Sequence, residues 1–287
     1  MKVTRRWLLG SAAALGAGPA RLISGKLDGL MIGVTDWNLR QTGKIDAVAL
    51  ARSLGFDGVE VSLGRKPEND RLPLADPEVQ SRYVNEARRQ NMKIAGTCLD
   101  ILHVNYLKND KLGQKWVSEG IPITRKLNAR VMLLPFFGKG ALGTADEKDY
   151  VGDVLKELAP EAQRAGVVLA LENTISAEDN ARILDRAKSK AVRVYYDVGN
   201  STNAGFDPVK EIRWLGKERI CQIHLKDGRS YLGEGKIDFP GVMRAIADIG
   251  FKGFANLETP APSGSIEVDM RRNLGYIRKL MEETRRS

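Results

Sequence analysis

The sequence predicts one closed (β/α)8 barrel, a TIM barrel of the α/β class. Three observations lead there. From Leu30 onward, apolar runs of strand length alternate with amphipathic stretches of helix length. The unit recurs roughly every 33 residues, and eight such units match the ~250 residues at which a barrel of this kind closes. No Pro/Gly/Ser-rich linker or charge block interrupts the pattern, so the units form one domain. A doubly wound open sheet is the alternative, but the first strand, LMIGVTDWN, is followed by neither GxGxxG nor GxxxxGK[ST].

Strand 30–34 (LMIGV) opens the series, and helix 45–54 follows it, closing at Gly55 as a left-handed C′ glycine does. Strand 58–63 (GVEVSL) leads into helix 78–90. Strands 93–98 (KIAGTC) and 130–135 (RVMLLP) come next, then helix 149–164, closed by Gly166. Strand 167–172 (VVLALE) precedes helix 177–187, and strands 192–197 (VRVYYD) and 220–224 (ICQIH) follow. Helix 240–249 stops at Gly250, strand 253–258 (GFANLE) is the eighth, and helix 267–283 ends the chain.

The 287 residues are 43% hydrophobic, 28% charged and 6% aromatic, a balance that excludes disorder and fibrous repeats. Residues 1–25 read as an export leader and 26–287 as the barrel domain. The leader has a charged start, an apolar run and small residues suited to cleavage after Ala20, with no acid before Asp28. Its run is shorter than the ~20 residues of a spanning helix, so no stable membrane anchor is expected. The Thr4-Arg5-Arg6-Trp7-Leu8-Leu9 segment resembles the bacterial twin-arginine signal, which implies the Tat translocase as a transient partner and a periplasmic or extracellular destination. Of the formal +9, four charges belong to Lys2, Arg5, Arg6 and Arg21, which leaves about +5, too mild to argue for nucleic acid. Cys98 and Cys221 are the only cysteines; on the third and seventh strands of a barrel they lie opposite each other, so two buried free thiols are expected.

In such a barrel the chemistry sits at the C-terminal ends of the strands. Four consecutive strands end in a polar residue there: Glu172, Asp197, His224 and Glu258. Singly, each reads as well as a helix cap or a partner of a surface lysine. Together they converge at one mouth, where three carboxylates need a cation to neutralise them. Three oxygen donors with one imidazole suit Mn²⁺, Mg²⁺, Co²⁺ or Fe²⁺, and Zn²⁺ is also compatible.

With GFDGVEV, LALEN, YYDVGN, IHLKD, LGEGKIDF and GFKGFANLET in that order, the chain resembles the xylose isomerase-like TIM-barrel superfamily, the sugar phosphate isomerases/epimerases, from about Leu30 to its end. The resemblance implies that Glu172, Asp197, His224 and Glu258 hold one divalent ion, commonly Mn²⁺, and that Glu172 and Glu258 also move protons. Asn200 and Thr174 stand where relatives often have histidines, which spares the metal site and leaves the specific reaction open. With only His103 and His224, the chain lacks the histidine-rich zinc cluster of the superfamily's endonucleases. Further substrate-binding candidates are Glu60, Trp37, Asn200, Lys226, Arg229 and His103, each with an equally ordinary structural reading as a packed or solvated residue. The implied activity is proton abstraction next to a sugar carbonyl, giving epimerisation or isomerisation. The alternatives are a lyase or hydratase on 3-keto sugars or glycosides using the same site, and a sugar-binding barrel without turnover.

Overall fold

A computed structural model describes residues 27–286, so the proposed leader, 1–25, lies outside the described residues. Eight parallel strands close into a barrel in sequential order: β1 (Leu30–Thr35), β2 (Gly58–Ser62), β3 (Lys93–Cys98), β4 (Val131–Pro135), β5 (Val168–Glu172), β6 (Val192–Asp197), β7 (Ile220–Leu225) and β8 (Gly253–Leu257). Parallel neighbours require crossovers, and these are the helices packed outside: α1 (Asp46–Leu54), α2 (Pro77–Arg89), α3 (Lys111–Lys126), α4 (Ala145–Ala165), α5 (Ala177–Ala187), the short α6 (Val198–Asn203), α7 (Pro208–Arg219), α8 (Phe239–Asp248) and α9 (Ile266–Arg286).

The predicted (β/α)8 architecture is thus observed, with strand bounds shifted by a residue or so. Helix α3 was not among the elements expected above, because Gly113, Gly120 and Pro122 break its pattern. Packing explains Gly120: a Cβ there would stand 2.6 Å from Met132 Sδ, so the missing side chain lets α3 lie close on β4. Helix α4 begins with a reciprocal capping box, Thr144 accepting from the Glu147 N–H while Glu147 accepts from the Thr144 N–H.

The main core lies between strands and helices, where Ile32, Val59, Leu134 and Ile223 meet Val48, Leu155 and Ile246, all buried. Each such side chain contributes on the order of 1.5–3 kcal/mol relative to exposure. A smaller cluster of Cys98, Val131, Leu133, Ala170 and Tyr195 forms a second buried group. Both cysteines are free, and Cys98 is buried as expected. Cys221 corrects that expectation: it is half-buried, because it lies near the N-terminal end of β7, where a cavity opens. No described helix is long and apolar enough to cross a membrane.

Candidate metal centre and active site

Strand register brings the polar ends together. Asp197 on β6 pairs with His224 on β7, His224 pairs with Asn256 on β8, and Pro135 pairs with Glu172 on β5. Glu258 follows β8 by one residue, its N–H held by the Leu225 carbonyl at 3.1 Å. One donor atom from each of Glu172, Asp197, His224 and Glu258 lies within 4.8 Å of the others. His224 Nδ1 is 3.0 Å from Glu172 Oε1, 3.5 Å from Glu258 Oε2 and 3.6 Å from Asp197 Oδ2. Adjacent donors on an ion with ~2.1 Å bonds stand about 3 Å apart, so a divalent cation fits this set.

The donors are buried and their charges interlock. Asp197 is divided between two tasks. Its Oδ1 accepts the Asn200 N–H at 2.7 Å and caps α6, while Oδ2 is buried at the centre without a hydrogen bond, although Lys226 Nζ lies 2.7 Å away. A buried carboxylate oxygen held by a cation and set among three other donors is placed to serve as a metal ligand. Burial pushes Glu172 up to about 8, against the pull of His224. Burial also opposes ionisation of Asp197, but Lys226 and His224 outweigh it and hold the acid below its ordinary value. For His224 burial opposes the charged form, yet Glu258, Glu172 and Glu60 prevail and raise it well above 6.5. A divalent ion bound by Nδ1 would replace that proton.

Beneath the mouth lies a second layer. Glu60 Oε2 sits 2.9 Å from His224 Nε2 and accepts from Tyr195 Oη at 2.8 Å and Asn256 Nδ2 at 3.3 Å. Asn256 Nδ2 also donates to Tyr195 Oη at 2.6 Å. Holding Nε2 as the donor leaves Nδ1 for the carboxylate side, the usual arrangement behind a metal-binding histidine. Glu60, one of the substrate-binding candidates, does not line the cavity at the mouth: it occupies the middle of β2, is fully buried and lies behind His224.

The mouth opens into a cavity of about 900 Å³. Glu172, Glu258, Trp37, Asn200, Lys226 and His103 line it. Trp37 Nε1 donates to Glu258 Oε1 at 3.0 Å, and Asn200 Nδ2 to Glu172 Oε1 at 3.2 Å. Lys226 bridges Glu258 Oε2 at 2.6 Å and Asp197 Oδ2 at 2.7 Å. Gly199 makes room for it, since a Cβ there would stand 2.4 Å from Lys226 Cγ. On the far wall His103 stacks on Phe137, with ring centroids 6.2 Å apart, and burial lowers its pKa. Arg229 does not reach this cavity. It lines a smaller pocket, because the Asp227 carboxylate gathers the N–H groups of Gly233, Gly235, Lys236 and Ile237 and folds that loop into a closed turn.

Ser62 and Asp100, which hydrogen-bond each other, also line the cavity and were not picked out as site residues. Tyr195 and Asn256 were missed as well, although a signal for them existed. Each precedes a presumed ligand by two residues, and side chains two apart on a strand share a face.

Comparison with known proteins agrees with this geometry. A family profile described as Xylose isomerase-like TIM barrel matches residues 48–280. The chain is similar to a 2-epi-5-epi-valiolone 7-phosphate 2-epimerase from Actinoplanes sp., with 26% identity over 202 residues that cover 69% of this chain and 72% of that one. It is also similar to a putative L-ribulose-5-phosphate 3-epimerase from Escherichia coli, with 27% identity over 236 residues covering 72% and 80%. Among solved structures, an L-ribulose 3-epimerase superposes with a TM-score of 0.74 at 17% identity, covering 90% of this chain and 96% of the other, a likeness of fold.

Proposed function

The chain belongs to the xylose isomerase-like TIM-barrel family, and on that premise we propose that it is a divalent-metal-dependent sugar epimerase or isomerase. The observation that carries the reading is the meeting of four metal-type donors at one mouth, with the two outer acids, Glu172 and Glu258, also facing the cavity. Glu172, Asp197, His224 and Glu258 would hold the ion, with Mn²⁺ the first choice for so oxygen-rich a set. When bound, the ion supplies polarisation of a substrate carbonyl and its adjacent hydroxyl. Glu258 receives N–H donors on both oxygens, from Trp37 and Lys226, an arrangement that keeps a carboxylate aimed as a base. Glu172 also faces the cavity and would exchange a proton with the substrate from its own side of the mouth. Asn200 orients Glu172 through its amide, and Trp37 offers an aromatic face for a sugar ring.

The two curated relatives described above are named for epimerisation of phosphorylated substrates, which supports epimerisation over other outcomes. A second reading, a lyase or hydratase on 3-keto sugars or glycosides, is favoured by a cavity near the upper end of the ~300–1,000 Å³ usual for small-molecule sites. The test is NMR in D₂O with Mn²⁺-loaded protein and a panel of ketoses, aldoses, their phosphates and 3-keto-glycosides, with product analysis after quenching. Deuterium at the carbon next to the carbonyl, abolished by chelator, is the expected result. Elimination products select the lyase. Saturable sugar binding with no exchange across the panel rejects both and leaves a binding barrel.

Export by the twin-arginine route is proposed from Arg5-Arg6 and the apolar run after them. Arg5→Lys/Arg6→Lys should trap precursor in the cytoplasm, and undiminished export of that variant would reject the route.

A further inference from the structure

The N-terminal mouth of the barrel, opposite the metal centre, holds a second cavity of about 600 Å³. Its inner wall consists of lower strand residues, among them Ile94, Val131 and Phe254, and α2 closes one side with Val84 and Ala87. Three cations, Arg88, Lys93 and Arg130, line it, and no carboxylate does. Among the described residues none of the three forms an ion pair, and Lys93 Nζ meets only Met31 Sδ, at 3.2 Å. Three like charges around one hollow make a site for an anion.

The floor is closed by Gln222 on β7, which is 3% exposed and reaches across to donate its Nε2 to the Ala95 carbonyl on β3. Its Oε1 packs against Gly96 and is shut off from the cavity, so the floor offers a ligand no hydrogen-bonding group and the recognition lies in the cations. The leader does not meet the charge requirement: residues 1–26 contain Lys2, Arg5, Arg6, Arg21 and Lys26 and no acid.

We propose that this mouth binds a small amphiphilic acid. Its carboxylate, sulfonate or phosphate lies among Arg88, Lys93 and Arg130, and its apolar body covers the strand ends. None of these residues takes part in the chemistry at the other mouth, so the site is independent of the epimerase reading.

The experiment is calorimetric titration of the full chain at low salt with 8-hydroxyoctanoate, octanoate and 1-octanol. One saturable site is expected for the acids. The two acids should bind within about twofold of each other, since the closed floor offers the hydroxyl no partner, and octanol should not bind. Lys93→Gln/Arg130→Gln changes two exposed side chains at the rim and should weaken both acids roughly five- to tenfold. The proposal is overturned if octanol binds as well as octanoate, if the double variant retains wild-type affinity, or if millimolar acid gives no saturable heat. It is equally overturned if only anionic vesicles bind, since that is surface adsorption and not a pocket.

Discussion

The same eight strands form both mouths of the barrel, yet the two mouths gather opposite charges in opposite ways. At the C-terminal mouth Glu60, Glu172 and Asp197 are buried and locked to His224 and Lys226. At the N-terminal mouth Arg88, Lys93 and Arg130 sit in solvent around an apolar hollow. The difference teaches that depth, more than the number of charges, decides what a charge does. A buried charge interacts strongly with its neighbours and cannot be removed without consequence, whereas an exposed one is screened. The effect of substitution should therefore fall steadily from one mouth to the other.

The largest effect is expected at Glu258. Glu258→Gln keeps the size and one oxygen donor but removes the basic carboxylate. At saturating metal, proton exchange at the substrate carbon should fall by roughly 10²- to 10⁴-fold, the usual contribution of a general acid or base. Wild-type exchange at full metal occupancy would reduce Glu258 to a ligand only.

Next comes Lys226, which reaches both Asp197 and Glu258 at ion-pair distance. Asp197, Glu258 and Glu172 together raise its pKa against the effect of burial, so it remains protonated at neutral pH. Lys226→Met leaves those acids without that counterion, and the metal-free protein should lose about 2–3 kcal/mol, toward the low end for a broken buried pair because the lysine is partly exposed. Added Mn²⁺ should recover most of this loss, so the metal-induced rise in Tm should be larger in the variant than in the wild type. An equal or smaller rise would show that Lys226 and the ion do not share these oxygens.

Much of this arrangement can be read in the sequence, and the parts that cannot share a physical reason. The strands are legible because a parallel sheet covered on both faces makes nearly continuous apolar runs, such as VVLALE and ICQIH. The donor set is legible because a polar residue ending such a run marks the catalytic mouth. That Glu60 serves His224 and not the cavity is not legible in GVEVSL, because its partners Tyr195, His224 and Asn256 come from β6, β7 and β8. The grip of Lys226 on two acids depends on Gly199 lacking a Cβ, a tertiary fact with no local signature. The basic hollow was invisible for the same reason, since Arg88, Lys93 and Arg130 come from three separate elements and each reads as a solvated charge.

Glu60 tests the layer beneath the ligands. Glu60→Gln keeps the shape but weakens the acceptor that holds His224 Nε2. Metal affinity measured by competition with a chelator should drop about 10- to 100-fold, the range for partners behind metal-binding histidines. Unchanged affinity would mean that packing against Tyr195 alone fixes the ring, whose centroid is 4.3 Å from that of His224.

The smallest effect belongs to the other mouth, and its smallness is the point of the comparison. Lys93 and Arg130 are exposed and, among the described residues, engage no acid, so neither contributes a pair there whose loss would cost stability. Removing both lessens repulsion within a cluster of like charges, which is a weak effect in a high dielectric. Lys93→Gln/Arg130→Gln should therefore change unfolding free energy by no more than about 0.5 kcal/mol, on the side of a gain, the range for surface changes that disturb no core. Denaturant titration at low salt and again at ~0.5 M salt checks this, and the small gain should vanish at high salt as the Debye length contracts. A loss of more than about 1 kcal/mol would mean that these cations support the fold, and the contrast between a buried acidic mouth and an open basic one would have to be redrawn.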